Sequence, residues 1–279
     1  WPNVQVVAGA IEHQVAVIRR AWELMEYRYQ LIEDGLASVD DFEPLVLFLE
    51  LDAGLDASQR AACLAVVEAF IARRAFMKEE NKEYNKLFVE IVGAIRDVRP
   101  EAMQAALCQK LLSGGGTTRR WPTDSDLVEY AIGKPVFPTL RPAVLRLVLE
   151  RLELALRGKK TEGHDIASEL QIEHVLPQSW ASCWPLGGVM IPARVANAPF
   201  LANEELTELA EPIRQRNNLL QTLGNLTLLN KYLNPAASNG SFKEKCVEYR
   251  HSILRMNRYF DEIDVWDETT IAMRSRRLA

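Results

Sequence analysis

Two stretches of the sequence decide the fold: Gln171-Ile-Glu-His-Val-Leu-Pro-Gln178 and Leu223-Gly-Asn-Leu-Thr-Leu-Leu-Asn-Lys-Tyr-Leu-Asn234. The first is a short β-type run with a carboxylate and an imidazole side by side, and Pro177 stops it. The second begins with a turn residue after Gly224, continues as an apolar run and ends at an asparagine on or beside a helix. Together they predict a strand, a second strand and a helix, in that order.

The composition is that of an ordinary soluble globular protein. A chain of 279 residues is long enough for two domains, and its 48% hydrophobic and 25% charged residues are typical of such proteins. No apolar stretch reaches the roughly 20 residues of a membrane span, and no signal peptide is visible. We therefore expect a cytoplasmic protein without membrane contact. Because the chain starts at Trp1, we expect it to be a fragment of a longer protein.

The cysteine spacing and the net charge limit the kinds of site that the chain can carry. The four cysteines are far apart and form no CxxC pair, which argues against a structural zinc site and against a disulfide scaffold. The net charge of −5 provides no broad basic field. Contact with a nucleic acid would therefore need a local basic surface.

Apolar residues recur at three- and four-residue steps through most of the chain, which predicts a mainly α fold with a small β part, of the α+β class. The glycine run at 114–116 separates a helical first domain, residues 1–113, from a second domain, residues 114–279. We assign the aromatic residues of the first domain to core packing, and the domain itself to a connecting or interaction role. The predicted helices cover residues 11–34, 41–51, 57–77, 82–97, 100–113, 126–132, 141–157, 203–211, 241–258 and 267–278.

The two opening stretches carry residue types that suit phosphodiester hydrolysis, which needs a base, a cation and a group that orients the base. His174 is the candidate base because an imidazole titrates near neutral pH. The Glu173 carboxylate suits Mg²⁺ or Mn²⁺, although an extended strand points it to the opposite face, so a twist or bulge is required. The carbonyl oxygen of the Asn225 side chain can accept from the imidazole N–H and fix the tautomer, and the amide oxygen of Asn234 can complete the metal site.

Three lysines, Lys231, Lys243 and Lys245, are candidates for contact with DNA phosphates. Each candidate also has a structural interpretation. His174 beside Glu173 can be a structural pair, the two asparagines can be turn and helix-end residues, and the lysines can form a solvated face. The occurrence of all the parts in this order favours the catalytic interpretation.

The sequence resembles the C-terminal HNH nuclease domain of GmrSD-type enzymes, the modification-dependent (type IV) restriction enzymes that include phosphorothioate-sensing SspE-like and BREX-associated relatives. The resemblance covers about residues 114–279. It is carried by Ile172–Gln178, Leu223–Leu229, Asn234, Phe242–Lys245, Trp266, Ile271 and Arg274.

The resemblance implies a helical domain with an embedded ββα-metal (His-Me finger) motif. His174 takes the general-base position, Asn225 the central asparagine, Asn234 the final metal-ligand position and Glu173 that of the acid next to the base. Glu173 stands where HNH enzymes more often have an aspartate, which keeps the charge on a longer arm. In zinc-stapled members of the wider superfamily a cysteine pair flanks this segment, whereas this sequence has Asn230 and Leu233 there.

The resemblance further implies an antiviral restriction function in which the chain cuts or nicks DNA with one divalent metal, Mg²⁺ or Mn²⁺, and no structural zinc. Related full-length proteins have an N-terminal ParB-like nucleotidase domain with a DGQQR-type motif, which this sequence lacks, so such a domain is an expected partner. A single finger cuts one strand, which makes nicking by a monomer the default expectation, with a homo-oligomer as an alternative. A DNA-binding or partner-docking module with weak or no catalysis, and a nuclease acting on RNA, are the other interpretations.

Overall fold

The computed structural model describes residues 44–157, 170–198, 204–233 and 240–279. These residues are mainly helical and contain a single two-stranded sheet, which confirms the predicted mainly α fold. The chain divides into two compact units, residues 1–123 and 124–279. No helix among the described residues is both long enough and apolar enough to cross a membrane.

Three long helices that follow the predicted pattern make up most of the described part of the first unit. They are α1 (Ala57–Phe76), α2 (Tyr84–Ile95) and α3 (Pro100–Leu112). Asp56 starts α1 by accepting a hydrogen bond from the backbone N–H of Gln59. Of the predicted helix at 41–51, the described part is α-helical at 44–47 and continues as a π-helical turn at Phe48–Asp52. The predicted helix at 11–34 lies outside the described residues.

The segment after the glycine run belongs to the first unit, so the division of the chain falls after the position we predicted. Buried Arg74 donates to the carbonyl oxygen of Arg120 at 2.9 Å. Arg119 forms ion pairs with Glu83 and Glu90 at 3.0 and 2.6 Å. These contacts attach residues 117–120 to α1 and α2.

The second unit surrounds its short sheet with helices. Strands β1 (Leu170–His174) and β2 (Leu226–Asn230) pair antiparallel, with Glu173 opposite Thr227 and His174 opposite Leu226. The helices are α4 (Asp124–Gly133), α5 (Pro142–Leu156), α6 (Ala193–Asn197), α7 (Ala210–Leu220), α8 (Phe242–Tyr249), α9 (Arg255–Arg258) and α10 (Glu268–Leu278).

Two predicted helices of the second unit have different bounds in the structure. The segment predicted at 203–211 is a 3₁₀ helix at Glu204–Leu209 that continues into α7. The prediction of one continuous helix at 241–258 is wrong. The helix is interrupted between α8 and α9, and Ile253 in the interruption is 69% exposed. The start of α9 after this interruption is determined by a residue outside 241–258. The buried carboxylate of Glu153 accepts from the backbone N–H groups of Arg255 and Met256 at 3.0 and 2.9 Å, and thereby caps α9.

The core beside the sheet is aromatic. The Phe242 ring stacks on Trp266 with 5.7 Å between centroids. Phe260 meets the same indole edge-on at 5.2 Å. These contacts join α8 to the segment before α10, in the same core cluster as Leu229 of β2. The 3₁₀ turn before β2, Leu223–Asn225, carries one of the predicted site residues, Asn225.

Candidate functional site

His174 is the last residue of β1 and is 8% exposed. Its Nε2 lies 3.0 Å from Oε1 of Gln221, which follows α7. An amide oxygen only accepts, so this contact assigns the proton to Nε2 and leaves Nδ1 as the basic nitrogen. The Phe137 ring meets the imidazole edge-on with 4.8 Å between centroids. The sequence analysis did not identify Gln221 as a partner of the candidate base.

The surroundings of His174 keep its imidazole neutral. Burial lowers the pKa of His174 below the ordinary value of 6.5, the Gln221 hydrogen bond opposes that shift, and the charge of Lys245 adds to it. A neutral imidazole is the form that can accept a proton, so at neutral pH this residue is in the state that a general base requires.

The Asn225 side chain has partners other than the one we predicted. Its Nδ2 donates to the carbonyl oxygens of Leu176 and Leu220, both at 2.9 Å. Its Oδ1 accepts from the backbone N–H of Leu176 at 2.8 Å and from the indole N–H of Trp266 at 3.1 Å. The expected hydrogen bond to the imidazole is therefore wrong, because this fully buried amide is already used by the backbone that follows His174.

Those hydrogen bonds give Asn225 a positioning function. They hold the chain after β1 against the start of β2, and the backbone N–H of Val175 adds a bond to the Asn225 carbonyl oxygen at 2.9 Å. His174 leads directly into this clamped segment. Asn225 thus acts on the orientation of His174 through the backbone.

Glu173 forms an ion pair with Lys245 of α8, whose Nζ lies 2.5 Å from Oε1. The same ammonium donates to the carbonyl oxygen of His174 at 2.7 Å. Lys245 is fully buried, so the prediction that it contacts DNA phosphates is wrong. It instead ties α8 to the end of β1.

In this ion pair, burial affects each pKa more than the attraction between the two charges does. Desolvation raises the pKa of Glu173, and the charge and hydrogen bond of Lys245 oppose that shift. Desolvation also lowers the pKa of Lys245, with Glu173 opposing it. The attraction between the two groups therefore offsets only part of the effect of burial on each pKa.

The remaining candidates lie on the surface or outside the described residues. Lys231 and Lys243 are exposed, and the Lys231 ammonium lies 5.2 Å from the centre of the Tyr232 ring. Asn234 lies outside the described residues. In residues 44–157, 170–198, 204–233 and 240–279, no group of three or more His, Cys, Asp or Glu side chains is arranged to hold a metal ion.

The 3₁₀ turn that carries Asn225 is held by α10. The backbone N–H of Gly224 donates to the Ser275 hydroxyl at 2.9 Å. The guanidinium Nη1 of Arg274 donates to the carbonyl oxygens of Gly224 and Leu226 at 2.7 and 2.6 Å. The last helix of the chain therefore fixes the backbone on both sides of Asn225.

Comparison with known proteins places this geometry in a family. Residues 121–279, more than half of the chain, match the family model of the GmrSD restriction endonucleases, C-terminal domain. The chain belongs to this family. No curated protein and no solved structure gives a significant match.

Family membership confirms the resemblance identified from the sequence. The GmrSD C-terminal domain is a restriction endonuclease domain, which makes the second unit part of a nuclease in a restriction system. Residues in the matched region include His174, Glu173 and Asn225, and also Gln221 and Lys245, whose partners the sequence analysis missed. Nothing in the apolar periodicity marks Gln221, since its contact depends on how α7 ends beside β1.

Proposed function

We propose that this GmrSD-family domain is a metal-dependent DNA endonuclease that nicks DNA as the effector of an anti-phage, modification-dependent restriction system. The observation that supports it is the buried, neutral imidazole of His174, oriented through Nε2 by Gln221. The family match supports the endonuclease class and the restriction setting. The proposal of a ββα-metal motif rests on the chain order of the two strands, β1 and then β2, and on the residues that follow β2 in the sequence.

His174 acts as the general base in the proposed reaction. A water molecule gives a proton to Nδ1, and its oxygen forms a bond to phosphorus while the bond from phosphorus to the leaving oxygen breaks. Gln221 accepts from Nε2–H before the proton transfer and more strongly from the imidazolium after it. The Asn225 clamp and the Lys245 bond to the His174 carbonyl oxygen keep the ring in place during the transfer.

The proposed cofactor is one Mg²⁺ or Mn²⁺ ion, without structural zinc. A bound ion of this kind neutralises charge on the phosphate and the leaving oxygen. We propose Glu173 as one ligand, because a carboxylate oxygen is a donor that suits Mg²⁺ or Mn²⁺, and it would hold the ion beside the Lys245 ammonium that already pairs with Oε1. We propose Asn234 as the second ligand. The exposed lysines Lys231 and Lys243 would meet DNA phosphates, and a ParB-like domain would be the partner that controls the site.

The test is a supercoiled-plasmid assay in Mg²⁺, Mn²⁺ and EDTA. His174→Ala is expected to reduce the rate of conversion to open circle by about 10²–10⁴-fold, and EDTA is expected to abolish it. His251→Ala is the matched control, since His251 is an exposed histidine of the same unit, and it should leave the rate unchanged. Cleavage by His174→Ala at the wild-type rate would exclude the assignment.

A second function is favoured by one observation. Glu173 is already paired with a buried ammonium, which would suit a DNA-binding or partner-docking module with weak or no catalysis. A gel shift with plasmid DNA and no cleavage in either metal would favour that function. Cleavage of an RNA substrate in preference to DNA would retain the chemistry and change the substrate.

A further inference from the structure

A positively charged cavity lies in the second unit at the end of α5, between α9 with its following turn and α10. Its volume is about 230 Å³, below the roughly 300–1,000 Å³ of pockets for drug-sized ligands. Tyr259 and one acidic residue, Glu262, line the cavity. Its lining also contains four arginines, Arg255, Arg258, Arg274 and Arg277. None of His174, Glu173 and Gln221 lines it, so it is separate from the candidate nuclease site.

Arg274 contributes a buried donor that has no partner. The residue is 1% exposed, and its Nη1 is used by the carbonyl oxygens of Gly224 and Leu226. Its Nη2 is buried without a hydrogen-bond partner among the described residues. Burial lowers the pKa of Arg274 to about 10, so the group stays charged at neutral pH. Leaving a charged donor unpaired is costly, and the Phe260 ring, whose centre lies 4.8 Å from the guanidinium carbon, offsets only part of that cost.

The other arginines of the cavity face few carboxylates. Arg258 forms a long ion pair with Asp261, at 3.7 Å, which is beyond hydrogen-bond distance. No ion pair is described for Arg255 or Arg277 in the part of the chain that the structure covers. The Arg277 guanidinium lies 5.2 Å from the centre of the Tyr259 ring, which holds it at the cavity wall.

The backbone of the wall that carries Arg255 and Arg258 is held by hydrogen bonds to α5 and β2. Glu153 caps the start of α9. The Asn257 amide donates to the carbonyl oxygen of Leu228 in β2 at 2.9 Å. These bonds position the backbone that carries Arg255 and Arg258 at the cavity, from which their exposed side chains can reach a ligand.

We propose that this cavity binds a phosphate group, with Arg274 Nη2 as the buried donor and Arg255, Arg258 and Arg277 around it. Several planar guanidinium groups match the tetrahedral oxygens of a doubly charged phosphate better than they match a single carboxylate. The phosphate belongs either to a free or terminal phosphate monoester or to a DNA backbone. Because Arg274 also holds the backbone on both sides of Asn225, a bound phosphate would stabilise the turn next to the nuclease site.

The test is calorimetric titration of the full chain with inorganic phosphate and, separately, with a short DNA oligonucleotide that lacks terminal phosphates, at constant ionic strength set with chloride. Arg277→Gln and Arg255→Gln should weaken binding by about tenfold. Arg276→Gln is the matched control, because Arg276 is exposed on the same helix and does not line the cavity.

The two titrations separate the sources. Binding of inorganic phosphate that Arg277→Gln weakens and Arg276→Gln does not would establish a site for monoester or free phosphate. If only the oligonucleotide binds, and Arg277→Gln weakens that binding while Arg276→Gln does not, the site would be assigned to the DNA backbone. If neither ligand binds, or if Arg276→Gln weakens binding as much as Arg277→Gln, the proposal is overturned. Neither titration depends on cleavage, so the result is independent of the proposed nuclease activity.

Discussion

At the scale of single residues, burial and the Gln221 hydrogen bond shift the pKa of His174 in opposite directions, and burial has the larger effect. The base acts only when neutral, so the rate should fall as pH drops through the pKa of His174. Burial places that pKa below 6.5, and the acid limb of the pH–rate profile should therefore have its midpoint below 6.5. An acid limb above that value in the wild-type protein would contradict the burial of His174.

Substitution of Gln221 should move this midpoint in two opposite directions. Gln221→Leu removes a bond that raises the pKa, so the midpoint should move to lower pH while kcat falls by about tenfold. Gln221→Glu places a carboxylate on the imidazolium, so the midpoint should move to higher pH. Titration of the His174 ring by NMR, assigned with His174→Ala, gives the same shifts without turnover. Identical midpoints in the three proteins would exclude a role for Gln221.

Also at the residue scale, Lys245 should matter for stability and not for phosphate contact. Lys245→Met leaves Glu173 in a mostly buried site without its partner, and should lower the free energy of unfolding by about 3 kcal/mol. Adding Glu173→Gln should recover part of that loss. The control is Lys243→Met, an exposed lysine of the same helix, with an expected change within about 0.5 kcal/mol. Urea unfolding measures all three variants; equal losses for Lys245→Met and Lys243→Met would contradict the buried pair.

At the scale of elements, the 3₁₀ turn before β2 depends on a close approach to α10. A side chain at Gly224 would overlap the Ile271 carbonyl oxygen and the Ser275 hydroxyl, and would lie 2.8 Å from the Ser275 nitrogen. Gly224→Ala should therefore destabilise the second unit by about 3 kcal/mol. Gly133→Ala, at the end of α4 with no atom within 4 Å of the added carbon, should be neutral or stabilising. The melting temperatures of the two variants decide the point, and equal values would show that the turn tolerates separation from α10.

Elements were predictable from sequence where the evidence is local. Periodicity located α1, α2, α3, α5 and α10, and the two quoted stretches located the strands. The break between α8 and α9 was not predictable, because it depends on Glu153, about a hundred residues earlier in the chain.

The candidate site, too, was predictable from sequence only in part. Residue types and order identified His174 and Glu173, but the partners of those residues come from elements distant in sequence. Gln221 and Lys245 reach β1 from α7 and α8. Lys245 shares the buried face of its helix with Phe242 and Tyr249, whereas Lys243 lies on nearly the opposite face, so helical periodicity could have separated the two lysines.

At the scale of the whole molecule, every described side chain of the candidate site belongs to residues 124–279, and the family match covers nearly the same span. We therefore expect a fragment of residues 124–279 to fold and to keep the metal-dependent nicking of the full chain, because Gln221, Lys245 and the Asn225 clamp are all retained. Plasmid nicking by the fragment and by the full chain at equal concentration measures this. A fragment with unchanged near-UV circular dichroism and an unchanged His174 titration, but without cleavage, would instead assign the first unit a direct part in the reaction.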